Sequence, residues 1–126
     1  MPTIFGDFNV GRIPDGITLD QALMLTDNLM TAYCRCRNAE VAPGSTVVIV
    51  GLGPIGLMAV ECAFVLVASR VFAVDLLQKR RLIAEQLGAI ALHPDVAFEE
   101  IRELTGGRMA ECAIEAVGLD ATSMLR

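Results

Sequence analysis

"STVVIVGLGPIGLMAVECA", Ser45 to Ala63, decides the fold. Its first part is a β-branched run that stops at Gly51, the pattern of a buried strand. Its last part, from Pro54 to about Val67, has the composition of a buried helix. Between them stands "GLGPIG", Gly51 to Gly56, a GxGxxG turn. Alone such a turn says little. With a strand before it and a helix after it, each glycine has a task. Gly51 permits the tight turn, Gly53 lets a pyrophosphate approach the backbone, and Gly56 lets helix and strand pack closely. The helix N-terminus that opens at Pro54 offers unpaired N–H groups and a positive dipole end to phosphates.

The next segments extend this reading. "RVFAVD", 70 to 75, is a second strand, and it ends on an acid. Asp75 stands nineteen residues after Gly56, close to the roughly 20-residue spacing of the acid that holds ribose hydroxyls in dinucleotide sites. A carboxylate there repels a 2′-phosphate, so NAD is favoured over NADP, and the nearby cations Arg80 and Arg81 weaken that preference slightly. Two other readings stand beside this one: a plain structural turn with a strand-end acid, and a methyltransferase, which also uses a glycine-rich turn.

The rhythm then repeats. Leu77 to Leu87 reads as a helix ended by Gly88. "AIAL", 89 to 92, is a short third strand. Asp95 caps a helix from about Val96 to Leu104, ended by Gly106 and Gly107. "ECAIEAV", 111 to 117, is a fourth strand, and Asp120 opens a further helix that Arg126 cuts short. Alternating strands and helices imply a parallel sheet with right-handed crossovers.

Upstream, Met1 to Gly16 is loop-like. Thr18 with Gln21 forms a capping-box pattern, and Asp20 suits the positive end of a helix predicted from Thr18 to about Asn38. "APGS", 42 to 45, is a turn signal. Within the predicted helix, Asp20, Asp27, Thr31 and Arg35 share one arc, with Asn28 at its edge. That arc is a solvated polar face, or a face that looks into a wet cleft. The i, i+4 step places Asp27 and Thr31 side by side.

Composition narrows the function classes. The chain of 126 residues is one domain or a piece of one. Hydrophobic residues make up 54% and charged residues 20%, so either much is buried or some covering lies elsewhere. The net charge is −5, and beyond Lys79-Arg80-Arg81 there is no basic cluster, so no nucleic-acid partner is expected. Val41 to Val60 is uncharged, but its prolines and glycines break it, so no membrane span is expected. No signal peptide is evident at the N-terminus. The cysteines Cys34, Cys36, Cys62 and Cys112 form no CxxC pair. They read as reduced thiols of a cytoplasmic protein. His93, the single histidine, reads as a loop residue, at most near an adenine.

These residues carry a family resemblance. "GSTVVIVGLGPIGLMAVECA", "RVFAVDLLQKRRLIAEQLGA" and "AIEAVG" resemble the cofactor domain of the zinc-dependent, medium-chain alcohol dehydrogenases. "FNVGRIPDGITLDQALMLTDNLMTAY" resembles the segment just before that domain. The resemblance runs from about Phe8 to Arg126 and implies roles. Gly51, Gly53, Pro54 and Gly56 would belong to the pyrophosphate turn, with Ile55 packed behind the nicotinamide. Asp75 would hold the adenosine ribose with Arg80 close by. Val117 and Gly118 would lie beside the cofactor, and Thr31 near the nicotinamide. At the position of Asp27 the family commonly has a cysteine that binds the catalytic zinc. A formaldehyde dehydrogenase-like subset has Asp there, in a "TDN" setting, and a carboxylate is an acceptable zinc ligand. The other zinc ligands, the structural zinc loop and the fifth and sixth strands of the family would lie outside this chain. Val67 stands where the family usually has a glycine, Met30 where proline is frequent, and Ala32 where glycine is.

The expected fold is therefore α/β, an incomplete Rossmann-type doubly wound parallel sheet of about four strands, preceded by a helix. Residues 1–40 would be an interdomain segment and 41–126 a partial NAD-binding domain. The expected function is the NAD-binding part of an alcohol dehydrogenase-like oxidoreductase that moves hydride between a small alcohol or aldehyde and NAD. Zinc belongs to the complete enzyme and would not be held by this chain, which alone would not turn over substrate. The alternative is a non-catalytic NAD(H)-binding or interaction module. Exposed apolar surface would favour self-association or a homo-oligomer.

Overall fold

The computed structural model describes residues 10–118. Two helices, α1 (Leu19–Leu25) and α2 (Asn28–Asn38), come first. Then strands and helices alternate: β1 (Thr46–Val50), α3 (Pro54–Val65), β2 (Arg70–Val74), α4 (Gln78–Gln86), β3 (Ile90–Leu92), α5 (Pro94–Leu104) and β4 (Cys112–Glu115). The four strands are all parallel, in the order β3-β2-β1-β4. From β1 the chain moves outward through β2 to β3. It then crosses back and lays β4 on the other side of β1. This reversal creates a crevice at the carboxyl ends of β1 and β4, the position where open α/β sheets bind ligands.

Both faces of the sheet are covered, by different helices. On one face Val47, Ile49, Val71, Ala73, Cys112 and Ile114 pack under α2, α3 and α4, whose buried residues include Ala32, Cys36, Ala59, Ala63 and Ala84. These are small side chains, so the helices sit close, and the Cys36 thiol donates to the Ala59 carbonyl at 3.5 Å. On the other face Phe72 and Val74 pack against Ala97 and Ile101 of α5. This is the doubly wound α/β sheet of four strands that the sequence predicts.

Three local expectations need correction. The helix predicted from Thr18 to Asn38 is two helices, with a break at Thr26 and Asp27. The Thr18–Gln21 capping box is present in both directions, at 3.0 and 3.2 Å. After it, the run Thr26-Asp27-Asn28 lets side chains compete with the helix. Thr26 Oγ1 donates back to the Leu23 carbonyl, and Asp27 leaves the helical region at φ −134°, ψ −69°. Asp20 therefore does not share a continuous helical arc with Asp27. Second, α5 is capped by His93, whose Nδ1 accepts from the Asp95 N–H at 3.3 Å. Pro94 fits the first helical position because it needs no hydrogen bond there. Third, α3 stops at Val65, two residues short of its predicted end.

The helices α2, α3, α4 and α5 all close with one motif. The N–H two residues beyond the C-cap returns to the third-last helical carbonyl, as Val41 to Cys36, Ala68 to Ala63, Ala89 to Ala84 and Gly107 to Arg102. The residue between adopts positive φ. Gly88 and Gly106 do this freely, whereas Glu40 (φ 57°) and Val67 (φ 65°) do it with a side chain. Left-handed backbone costs a residue with a Cβ about 1–2 kcal/mol, and Val67 is β-branched. The predicted loop over residues 1–9 and the helix from Asp120 lie outside the described residues.

Candidate functional site

The crevice at the reversal point is a cleft of about 240 Å³ lined by Gly51, Gly53, Pro54, Ile55, Asp75, Arg80, Ala116 and Val117. The sequence singles out all of these except Ala116. Gly56 lies behind the cleft wall, Gly118 follows Val117 with φ 76°, and Thr31 is not among the lining residues.

The three glycines of the turn are required for three different reasons. Gly51 has φ 91°, and a Cβ on it would stand 2.9 Å from Ala116 and Val117. Here the turn is pressed against the loop after β4. Gly56 admits no side chain, since its Cβ would lie 1.8 Å from the Gly51 carbonyl oxygen. Gly53 differs from both. Its backbone is ordinary extended chain, φ −69° and ψ −171°, and beyond its chain neighbours no protein atom lies within 4 Å of a Cβ built there. Neither backbone nor packing demands a glycine at 53; the space beside it is open toward the cleft.

Gly53 caps α3 and Pro54 is its first residue. The first turn of any helix leaves its amides without intrahelical acceptors, so Ile55 and Gly56 present N–H groups at the positive end of the helix dipole.

Asp75 sits directly after β2 and is 1% exposed. Its Oδ2 accepts the Leu52 N–H at 2.7 Å, and its Oδ1 accepts the Leu77 N–H at 2.8 Å. Leu52 lies inside the glycine turn, so the acid ties the turn to the end of β2. A carboxylate has about four acceptor positions, so two backbone bonds leave capacity for hydroxyl donors. Arg80 Nη1 is 3.6 Å from Oδ2. Arg81 differs from its neighbour: its Nη1 donates to the Asp75 and Leu76 carbonyls at 2.8 and 2.7 Å. Of the two cations expected near the acid, only Arg80 lines the cleft. The bond from Asp75 to the N–H two residues on was legible as an aspartate turn pattern. The bond to Leu52 was not, because it joins residues far apart in the chain.

On the far side of the cleft, Ala116 N–H donates to the Val50 carbonyl at 2.8 Å, and Glu115 Oε1 accepts the Val117 N–H at 2.6 Å. The first ties the loop after β4 to the end of β1, and the second is local to that loop.

Asp27 is in a different setting. It is exposed, and its side-chain partner is Thr31, whose hydroxyl donates to Oδ1 at 3.4 Å. Among the described residues, no three His, Cys, Asp or Glu side chains stand where they could hold a metal ion. A catalytic zinc takes three protein ligands, so the described residues do not fit one. The buried thiols join no such group among the described residues. Burial pushes the Cys36 thiol up to about 11, with Cys62 and Cys112 adding to the shift, and burial with Glu61 raises Cys62.

Known proteins resemble this chain in sequence and fold. A probable zinc-binding alcohol dehydrogenase of Mycobacterium tuberculosis is 46% identical over 116 residues, covering 92% of this chain and 30% of the relative. An alcohol dehydrogenase of Cupriavidus necator is 38% identical over 118 residues, 90% of this chain and 32% of the relative. The solved alcohol dehydrogenase TADH of Thermus sp. ATN1 superposes with a TM-score of 0.87 at 34% identity, over 96% of this chain and 36% of that one. The chain thus spans about a third of the length of the curated relatives it matches. The family model for zinc-binding dehydrogenases matches residues 54–125, more than half of the chain. By that match and these likenesses, the chain belongs to the zinc-binding dehydrogenase family.

Proposed function

We propose that the chain is the NAD-binding part of a zinc-dependent alcohol dehydrogenase-type oxidoreductase. The observation that carries this is Gly53: a glycine with ordinary backbone and open space where a side chain would stand, between a helix N-terminus and a buried acid. A pyrophosphate in that space explains why a side chain is excluded. In this reading Gly51, Gly53, Pro54, Ile55 and Gly56 form the phosphate turn, and the first amides of α3 donate to it. Asp75 takes the adenosine ribose hydroxyls, with Arg80 beside it. Ile55, Val117, Gly118 and Thr31 serve the nicotinamide half.

NAD is favoured over NADP because Asp75 is a buried carboxylate, and a 2′-phosphate would meet its charge where water screens little. Among the described residues Arg80 is the cation at the cleft that offsets this. The bound nicotinamide supplies the hydride chemistry, with a small alcohol or aldehyde as partner; the residues of this chain bind and orient it. Asp27 remains the candidate zinc ligand of the formaldehyde dehydrogenase-like pattern. The described residues provide no second and third donor beside it.

In the same reading residues 1–40 form the interdomain segment and 41–126 the cofactor domain. Four free cysteines support a cytoplasmic location, and no described helix is long and apolar enough to cross a membrane. Exposed Leu19, Leu23, Met30 and Val65 support self-association. The alternative for this chain alone is a non-catalytic NAD(H)-binding or interaction module; among the described residues no donor set for a metal ion comes together.

Calorimetric titration with NAD and NADP tests the proposal. Saturable NAD binding, about tenfold or more tighter than NADP, is expected. Equal affinities would remove the role of Asp75, and no binding of either would end the proposal. Ethanol and formaldehyde assays separate the two readings, and turnover by the chain itself would overturn the non-catalytic one.

A further inference from the structure

A second recess, about 200 Å³, opens at the opposite ends of the strands. Thr46 and Arg70 are the first residues of β1 and β2, and Glu111 directly precedes β4. The cofactor cleft lies at the carboxyl ends of the same strands, so the two sites do not overlap. Arg108, Ser69 and Thr105 complete the polar wall.

Two guanidinium groups face this recess, and both are held by backbone. Arg70 Nη1 donates to the Leu104 carbonyl. Arg108 Nε donates to the Thr105 carbonyl at 3.3 Å. Each contact uses one of the five N–H donors of an arginine. Among the described residues neither arginine forms an ion pair. The nearby acid does not take that part: Glu111 Oε2 accepts the Thr46 N–H at 2.9 Å. Two cations and one acid thus share one recess, in a chain whose net charge is −5. The wall is also strained. Met109 lines it with φ 65°, held there by its N–H bond to the Thr105 hydroxyl at 2.9 Å. Strain of this kind tends to gather at binding sites.

We propose that this recess binds a small oxyanion, a phosphate or a carboxylate, between Arg70 and Arg108. The planar guanidinium fork matches both oxyanions. An anion there would give both guanidinium groups the counter-charge that neither has among the described residues. The two ligand classes share this chemistry and are separated by the test.

Equilibrium dialysis of the 126-residue chain with labelled inorganic phosphate, at constant ionic strength, is the test. Phosphate bound at the glycine turn would be lost in Gly53→Val, so that variant is measured in parallel. Saturable binding of one equivalent is expected, unchanged in Gly53→Val. Arg108→Gln and Arg70→Gln should each weaken it about tenfold or more. Glu111→Gln, which removes the opposing charge, should strengthen it. Arg108 is exposed, so Arg108→Gln should melt at the wild-type temperature and the loss will not be one of folding. Displacement of the label by acetate would assign the site to carboxylates, and displacement by phenyl phosphate alone would assign it to phosphate monoesters. Absence of saturable binding, binding abolished by Gly53→Val, or binding that survives Arg108→Gln would each overturn the proposal.

Discussion

The glycine turn and the break at Asp27 carry the two halves of the resemblance, and they are built in opposite ways. In the turn, every requirement is met inside the chain. Gly51, Gly56 and Asp75 are fixed by contacts with Val117, the Gly51 carbonyl and the Leu52 amide, and Gly53 is left facing open space. At Asp27 one hydroxyl is the recorded side-chain partner, and the carboxylate faces solvent. A dinucleotide is gripped chiefly by backbone from one contiguous strand–turn–helix unit, so such a unit can be complete in a chain that spans about a third of its relatives' length. A zinc site needs donors that converge from several segments, so one donor alone leaves no local trace.

If the turn is as self-contained as this, its internal contacts should be the most sensitive points in the chain. Gly56→Ala should have the largest effect. Its Cβ would meet the Gly51 carbonyl at 1.8 Å, and backbone cannot swing aside as a long side chain can. A loss of about 3 kcal/mol or more in urea unfolding is expected. A loss below 1 kcal/mol, on that scale, would mean the turn can relax and is no rigid cradle.

Asp75→Ala comes next, because the acid serves both fold and ligand. It removes the acceptor of two backbone N–H groups, and a buried donor left unsatisfied costs about 1–3 kcal/mol. The expected loss is about 2 kcal/mol of stability, together with the preference for NAD over NADP. Loss of preference with no loss of stability would show that Asp75 acts on ligand alone and that the Leu52 bond is dispensable.

How much of this was legible in the sequence follows the same divide. The strand, the glycine turn, the helix and the acid were legible because each requirement is local or sits at a fixed spacing. The Thr18 cap was legible for the same reason. The helix break was not, because apolar periodicity runs straight across it; the signal was the Thr26-Asp27-Asn28 run, three residue types whose short polar side chains can compete with helical hydrogen bonds, as Thr26 does at the Leu23 carbonyl. The left-handed Glu40, Val67 and Met109 are not marked as such by their residue types, though Val67 stands where the resembled family usually has a glycine. Tertiary and helix-end hydrogen bonds impose those conformations. The divergence of Arg80 and Arg81, one in the cleft and one on carbonyls, depends on side-chain direction that adjacent identical residues cannot show.

Gly53→Val separates ligand from fold within the turn. Extended backbone accepts a β-branched residue, and a Cβ there meets no atom beyond its chain neighbours, so the loss of stability should be no more than the roughly 1 kcal/mol of a poorer N-cap. The side chain would fill the space the pyrophosphate needs. NAD affinity should fall about tenfold or more, about 1.4 kcal/mol. If the variant binds NAD normally, the open space at Gly53 is incidental, and the proposed function loses its carrying observation.

Asp27→Ala should have the smallest effect, and it tests the other side of the comparison. The side chain is exposed and caps no amide of α2. Its bond to Thr31 is long, and surface polar contacts contribute little. Stability should therefore move by no more than about 0.5 kcal/mol. Since Asp27 does not line the cofactor cleft, NAD affinity should hold within about twofold, which is less than 0.5 kcal/mol. Zinc is the sharper measure. One carboxylate with no converging partners binds the ion no better than any surface acid, so zinc titrations of the wild type and of Asp27→Ala should coincide. A saturable zinc site that vanishes in Asp27→Ala would mean that further donors reach this break. The two regions would then be alike, each complete in itself, and the contrast between a contiguous cofactor grip and a dispersed metal site would fail for this chain.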